Sequence, residues 1–179
     1  MKHPIIASTM FLLACCHSPR QTEAPSGSAE PAAQLSRPSV LMYADIDPFI
    51  DVGNMTEQEV AGLFSKMHQA DQQYRDSLYN GRKENEAAFS QKMRANDEAN
   101  LKILNKIIQV HGWPKKSVFG EEAAETAWLV IWHHRGNRHI LCQHFDLMEK
   151  AVNEGEMSAS LFRQVEDQVA MLSPDQVNY

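Results

Sequence analysis

The chain has 179 residues, of which 43% are hydrophobic, and this is enough for one domain with a buried core. Its formal net charge is -6 and it contains no block of Lys or Arg, which argues against a nucleic-acid-binding protein. The three cysteines, two adjacent and one distant, form neither a disulfide framework nor a zinc ligand set.

The N-terminus is typical of a bacterial lipoprotein signal peptide, expected to cover residues 1–14. A short apolar stretch follows Lys2 and is too short to span a bilayer. It ends in Leu12-Leu13-Ala14-Cys15, which resembles a lipobox and predicts that Cys15 is diacylated and anchored in the membrane. Modification of Cys16 and an ordinary secretory signal are the alternatives. No aspartate follows Cys15, so we expect a cell-envelope location, on the periplasmic face of the outer membrane in a Gram-negative cell.

Two segments without regular periodicity follow. Residues 15–38 carry the lipidated cysteine and are otherwise rich in Ser, Pro, Ala, Gln and Glu, which predicts a disordered tether. Residues 39–55 contain breakers and predict an irregular lead-in to the domain. Four of its apolar residues are expected to cover the domain: Tyr43, Ile46, Phe49 and Ile50.

Residues 56–179 are predicted to form an all-α domain, an irregular bundle of about five helices. Thr56 and Glu59 form a capping box for the first helix, which ends at Asn80-Gly81. Residues 115–120 are expected to form a loop. The next helix is apolar nearly all round and should therefore be central. The later helices are predicted at 84–110, 121–134, 140–152 and 159–172.

Polar residues interrupt the apolar faces of the first two helices. Asp71 lies on the first stripe with Arg75 four residues on, and Asp97 and Asn100 lie on the second. One interpretation is a break near Asn96, with Asp97 capping a new helix. The other is a buried polar network. The two aspartates could also face each other as an acid/base pair, or simply be solvated.

The sequence carries no metal or cofactor motif. A histidine pair on one helix face needs a spacing of four, whereas His134, His139 and His144 are spaced by five, which separates them by about 140° around a helix. A metal site would have to be assembled from separate helices. Cys142 is expected to be a small helical hydrophobe, and no serine stands in a nucleophile elbow. We therefore predict no cofactor and no metal.

The order of several motifs resembles a bacterial family known only as a domain of unknown function. The resemblance covers residues 67–179 and rests on Asp97-x-x-Asn100, Gly112-Trp113-Pro114, the segment from Ala127 to Val130, and His133. Family members carry D-x-x-N, G-W-P, a W-L-x-x-(Q/H)-H segment and a closing Y-G-T. This chain departs from the pattern at Trp132, Arg135 and Gln168 and at its end, Tyr179. The resemblance implies no particular activity, and the departures put a family catalytic set in doubt.

Two hypotheses about function follow. In the first, the protein is a lipid-anchored binding or interaction module for an unknown small molecule or envelope protein. In the second, it is a hydrolase-like enzyme with His133 as general base, oriented by Asp97 or Asp71. We expect the polar residues to converge across three helices, with Trp113 or Trp128 as a wall. The candidate ligand-binding residues are Asp71, Arg75, Asp97, Asn100, Trp113 and His133.

Overall fold

A computed structural model describes residues 45–81 and 85–174 of the chain. This part is all-α, as predicted, with six helices and no strand. The signal peptide, Cys15, the tether, Tyr43 and residues 175–179 lie outside the described residues. None of the described helices is long and apolar enough to cross a membrane. The helices are α1 Glu57–Tyr79, α2 Glu86–His111, α3 Lys116–Phe119, α4 Glu121–His133, α5 Arg138–Asn153 and α6 Ala159–Met171.

The predicted capping box begins α1. The backbone amide of Glu59 donates to Thr56 Oγ1 at 3.3 Å, and the Thr56 amide donates to Glu59 Oε2 at 2.8 Å. Two donors that the helix leaves without partners are thereby satisfied. The same hydrogen bonds hold the pKa of Glu59 below its usual value.

The break predicted near Asn96 is wrong, because α2 continues through it without interruption. Asn96 Nδ2 donates to the carbonyl of Ala70 at 2.9 Å, and Asn100 Nδ2 donates to that of Met67 at 3.0 Å. Both Nδ2 groups therefore have an acceptor on α1, which runs antiparallel to α2, whereas Asn100 Oδ1 is buried without a hydrogen-bond partner in the described part of the chain. Asp97 is an interior residue of α2 and caps nothing.

A short helix, α3, occupies the segment predicted as a loop. Its last residue, Phe119, is buried, with its ring centroid 5.5 Å from that of His111 and 6.4 Å from that of Phe64. Gly120 follows with φ 91°, a left-handed conformation that side chains disfavour. This turn lets α4 start immediately after α3.

The central helix of the domain is α4, as its sequence predicts. It contacts α1, α2, α3 and α5, and its buried residues belong to one apolar core to which every helix contributes. The core residues of α4 are Ala123, Ala127, Val130 and Ile131.

Cys142, on α5, is exposed, so its predicted role as a small hydrophobe is wrong.

The lead-in is fastened to α2 by a lysine. Lys106 Nζ donates to the carbonyls of Pro48 and Ile50 at 3.0 and 3.1 Å. Ile46 and Ile50 pack partly buried against the core, as expected, whereas Phe49 is 85% exposed and does not cover the domain.

Candidate ligand-binding site

Four charged or titratable residues from α1, α2 and α4 meet in what we call the polar cluster: Asp71, Arg75, Asp97 and His133. Arg75 Nη2 donates to both carboxylate oxygens of Asp97, at 2.8 and 2.7 Å. Arg75 Nη1 donates to the Asp71 carbonyl at 2.7 Å and lies 3.2 Å from Asp71 Oδ1, an ionic contact without hydrogen-bond geometry. One guanidinium therefore lies against both carboxylates, and neither aspartate is an exposed, solvated side chain.

The last residue of α4, His133, joins the cluster through Asp71. Its Nε2 lies 3.0 Å from Asp71 Oδ2, and the Asp71 side chain is only 1% exposed. Because a carboxylate accepts, this contact places the ring hydrogen on Nε2 and leaves a lone pair on Nδ1 of the neutral ring. Nδ1 has no partner in the described part of the chain and is not sealed from solvent.

Burial sets the pKa of two neighbouring groups. It raises the pKa of Asp97, although the hydrogen bond and the charge of Arg75 pull in the other direction. It also lowers the pKa of His134, whose Nε2 lies 3.4 Å from the Asp97 carbonyl. His134 is therefore a neutral polar side chain at neutral pH.

A cavity opens beside His133. Its volume is about 660 Å³, and residues from α2, α6 and the connection between α4 and α5 line it. Asp71, Arg75 and Asp97 are not in its wall, so His133 is the one member of the polar cluster that reaches it. The lining residues are Glu98, Leu101, Lys102, Asn105, His133, His134, Arg135, Gly136, Asn137, Ile140 and Gln168.

A buried histidine on α5 fixes one side of this wall. His144 Nδ1 lies 2.9 Å from the Ile140 carbonyl, and its Nε2 lies 2.8 Å from Asn105 Oδ1. Only an imidazolium can donate to both oxygens, yet burial lowers the pKa of His144. If the Asn105 side-chain amide is rotated by 180°, its Nδ2 donates to Nε2 of the neutral His144 ring, and its oxygen points away from His144.

Arg135 and Gln168 tie the opposite side of the cavity together. Gln168 Nε2 donates to the Arg135 carbonyl at 3.0 Å, which links α6 to the end of α4. The Arg135 guanidinium lies 5.4 Å from the Trp132 ring centroid and donates to the Trp132 carbonyl at 3.3 Å. Arg135 and Gln168 therefore bind each other.

The cavity wall contains no hydroxyl or thiol nucleophile. None of the residues that line it is Ser, Thr or Cys, so an acyl-enzyme on an oxygen or sulfur of such a side chain cannot form there. No group of three or more metal-ligating side chains occurs among the described residues. The available chemistry is hydrogen bonding, charge and a histidine that can accept a proton.

The expected cluster forms in part. Asp71, Arg75, Asp97 and His133 converge across three helices, and Asn100 is fully buried, but its side-chain hydrogen bond goes to a main-chain carbonyl.

The prediction for the tryptophans is wrong. Trp113 is buried in the core and lines a separate cavity of about 160 Å³ with His111 and Lys115. Trp128 donates to the Leu161 carbonyl at 3.0 Å and stacks on Trp132, with ring centroids 5.6 Å apart. Neither ring lines the cavity beside His133.

Among the polar residues of the cavity wall, only His133 is a site residue proposed from the sequence; those missed are Glu98, Lys102, Asn105, His134, Arg135, Asn137 and Gln168. The only local signal was at Asn137, which follows Gly136 and precedes an apolar stripe, as an N-cap does. Its side chain does cap α5, accepting from the Ile140 amide at 3.3 Å.

The chain matches no protein-family model, and comparisons with curated proteins and with solved structures found no significant match. The resemblance to a family of unknown function stays a prediction.

Proposed function

We propose that the protein is a lipid-anchored cell-envelope protein whose helical domain binds a small polar molecule in the cavity beside His133. The observation that carries this proposal is the orientation of His133. A buried carboxylate holds one ring nitrogen, and the other is open where the ring lines a cavity of about 660 Å³. Ligand cavities of roughly 300–1,000 Å³ with a few placed polar groups are typical of small-molecule sites.

The wall of the cavity suits a molecule that is partly apolar. Leu101 and Ile140 supply apolar area, whereas Asn105, Asn137 and Gln168 supply amides. Asp71 contributes without touching the ligand, because it fixes the ring of His133 in one orientation and one tautomer. Because the ring is already fixed, less conformational entropy is lost when a ligand binds.

The test is to identify what the full mature protein carries. The protein is purified under native conditions, and copurified molecules are identified by mass spectrometry for wild type and for His133→Gln. We expect a bound small molecule that the variant loses or retains weakly. His139→Gln is the matched control, since His139 is an exposed histidine on α5. A cavity that carries and binds nothing in the wild-type protein contradicts the proposal.

A second candidate, hydrolysis with His133 as general base, is favoured by the same contact between Asp71 and His133. A carboxylate that holds Nε2–H leaves Nδ1 free to take a proton from water. The wall offers no hydroxyl or thiol side chain, so the step we propose is attack by a water molecule that His133 deprotonates. Turnover of an ester or amide that is lost in His133→Gln and Asp71→Asn, but kept in Asp76→Asn, would establish it. Asp76 is an exposed aspartate on the same helix as Asp71.

The anchor part of the proposal rests on the sequence Leu12-Leu13-Ala14-Cys15. A diacylated Cys15 would hold the domain at the membrane, on the periplasmic face of the outer membrane in a Gram-negative cell. The cavity would then be accessible to small molecules of the cell envelope or to the surface of another envelope protein.

A further inference from the structure

We infer that the ligand of this cavity is a small organic acid that also carries a hydroxyl or amino donor. Its anionic group lies at the N-terminus of α5 beside Asn137, and its donor faces His133. This inference rests on the proposed function and specifies the chemical class of the ligand.

The N-terminus of α5 supplies one half of an anion site. The first amide groups of a helix have no acceptor within the helix, and the helix dipole makes this end positive. Gly136 and Asn137, directly before α5, and Ile140, in its first turn, line the cavity. No acidic side chain occupies that first turn, which carries Arg138 and His139 instead. The positive end of α5 is therefore not neutralised by its own helix.

The side chain of Asn137 supplies the second, independent half. Asn137 is only 8% exposed, and its Oδ1 is used by the Ile140 amide. Its Nδ2 has no partner in the described part of the chain, and this atom is not sealed from solvent. An amide donor that has no protein partner among the described residues, on a residue that lines the cavity, is available to an acceptor oxygen of a ligand there.

The remaining charges of the wall favour an anion. Lys102 and Arg135 are cationic and Glu98 is acidic, so the formal charge of these three is positive. The negative end of α4 also lies at this cavity, but its last carbonyls accept from the amides of His134 and Arg135, and Arg135 covers one of them. Within the polar cluster, Arg75 lies against both carboxylates.

The other end of the ligand is set by His133. Nε2 is held by Asp71 and Nδ1 has no partner in the described part of the chain, so the uncharged form of the ring presents Nδ1 as an acceptor for an O–H or N–H donor of the ligand. Leu101 and Ile140 give apolar area for the carbon skeleton. A carboxylate and a donor on one small skeleton, as in a hydroxy acid or an amino acid, satisfy all of these groups together.

The test is an NMR titration of the full mature protein, observing the Asn137 side-chain amide and the backbone amides of Arg138 and His139. The probes are lactate and mandelate, each compared with its neutral amide, and alanine, compared with alaninamide, which keeps the ammonium group and lacks the carboxylate; inorganic phosphate serves as an anion alone. We expect saturable shifts at these amides with the acids and at least about tenfold weaker binding of the matched amide probes.

Asn137→Asp is the decisive variant. Aspartate caps a helix as well as asparagine does, so α5 should persist, but the Nδ2 donor is lost and a negative charge is added. We expect acid binding to fall by at least about tenfold in this variant. Asn80→Asp, at an exposed site after α1, changes the net charge equally and should leave binding unchanged.

Each outcome of these titrations either supports or overturns the inference. Acids that bind Asn137→Asp as well as wild type overturn the inference, and so does a panel in which no acid shifts the α5 amides. A matched amide probe that binds in the cavity as tightly as its acid also overturns it, but leaves the proposed function intact. A protein that neither carries a small molecule nor binds any probe in the cavity refutes both.

Discussion

Asp71 Oδ2 and His133 Nε2, from residues 62 positions apart in the chain, lie 3.0 Å from each other at the junction of α1 and α4. The aspartate is almost completely buried, whereas the histidine ring reaches the cavity beside it. The pair therefore connects the core to the cavity: the carboxylate fixes the ring, and the ring presents its second nitrogen. Arg75, which contacts Asp71, also donates to both carboxylate oxygens of Asp97.

Removal of the Asp97 carboxylate is expected to destabilise the domain. In Asp97→Ala the guanidinium of Arg75 loses two hydrogen bonds at a largely buried position, which should lower the free energy of unfolding by about 1–3 kcal/mol. Asp76→Ala, an exposed aspartate on α1, is the control and should cost much less. Urea unfolding of both variants measures the difference. Equal stabilities would show that the bidentate contact contributes nothing.

The buried histidines predict a loss of stability in mild acid. Burial lowers the pKa of His134 and His144 below their usual 6.5, so the unfolded chain binds protons more readily than the folded one. Their contribution to stability is present above pH 6.5 and is lost as the pH falls from there through the folded pKa values. The free energy of unfolding should therefore decrease between about pH 7 and pH 5.

The control for this pH dependence compares replacement of a buried histidine with replacement of an exposed one. His144→Gln cannot titrate and should flatten the decrease, whereas His139→Gln, at an exposed site, should not. Asp97 acts with the opposite sign at lower pH: burial raises its pKa above 3.8, so its contribution to stability falls as the pH rises through that range. An unchanged slope in His144→Gln would mean that the pKa of His144 is the same in the folded and the unfolded state.

Two glycines should respond to alanine with opposite signs. Gly62 lies on α1, and a Cβ there meets nothing within 4 Å, so Gly62→Ala should stabilise the domain by about 0.5–1 kcal/mol. Gly120 has a φ of 91°, and Gly120→Ala should destabilise it by about 1–2 kcal/mol, although the space is also open. Thermal unfolding of both variants checks the signs. A stable Gly120→Ala protein would show that α3 and α4 do not need this turn.

The membrane anchor is tested at the cysteine of the lipobox. Cys15→Ser should release the protein from the membrane fraction and abolish labelling with a fatty-acid analogue, because the acylated thiol is lost. Cys16→Ser is the matched variant and should stay labelled and membrane-bound. Labelling that persists in Cys15→Ser and disappears in Cys16→Ser would move the anchor by one residue.

The amino-acid sequence by itself determined five of the six helices in the described part of the chain and the central position of α4. Periodic apolar residues, the Thr56 capping box and the glycines at helix ends are local signals, so they can be read without the fold. The polar residues on the apolar faces also predicted a cluster, because a carboxylate on a buried stripe needs partners wherever the helices pack.

Only the tertiary structure decided which partners those residues have and where a ligand could enter. Because α2 is continuous, Asp97 lies against Arg75. Because α1 packs against α4, His133 contacts Asp71 rather than Asp97. The cavity wall combines residues from separate helices, such as Asn105, Asn137 and Gln168. Its members share no periodicity in the chain, because a cavity is what helix packing leaves open, and packing depends on contacts between residues far apart in sequence.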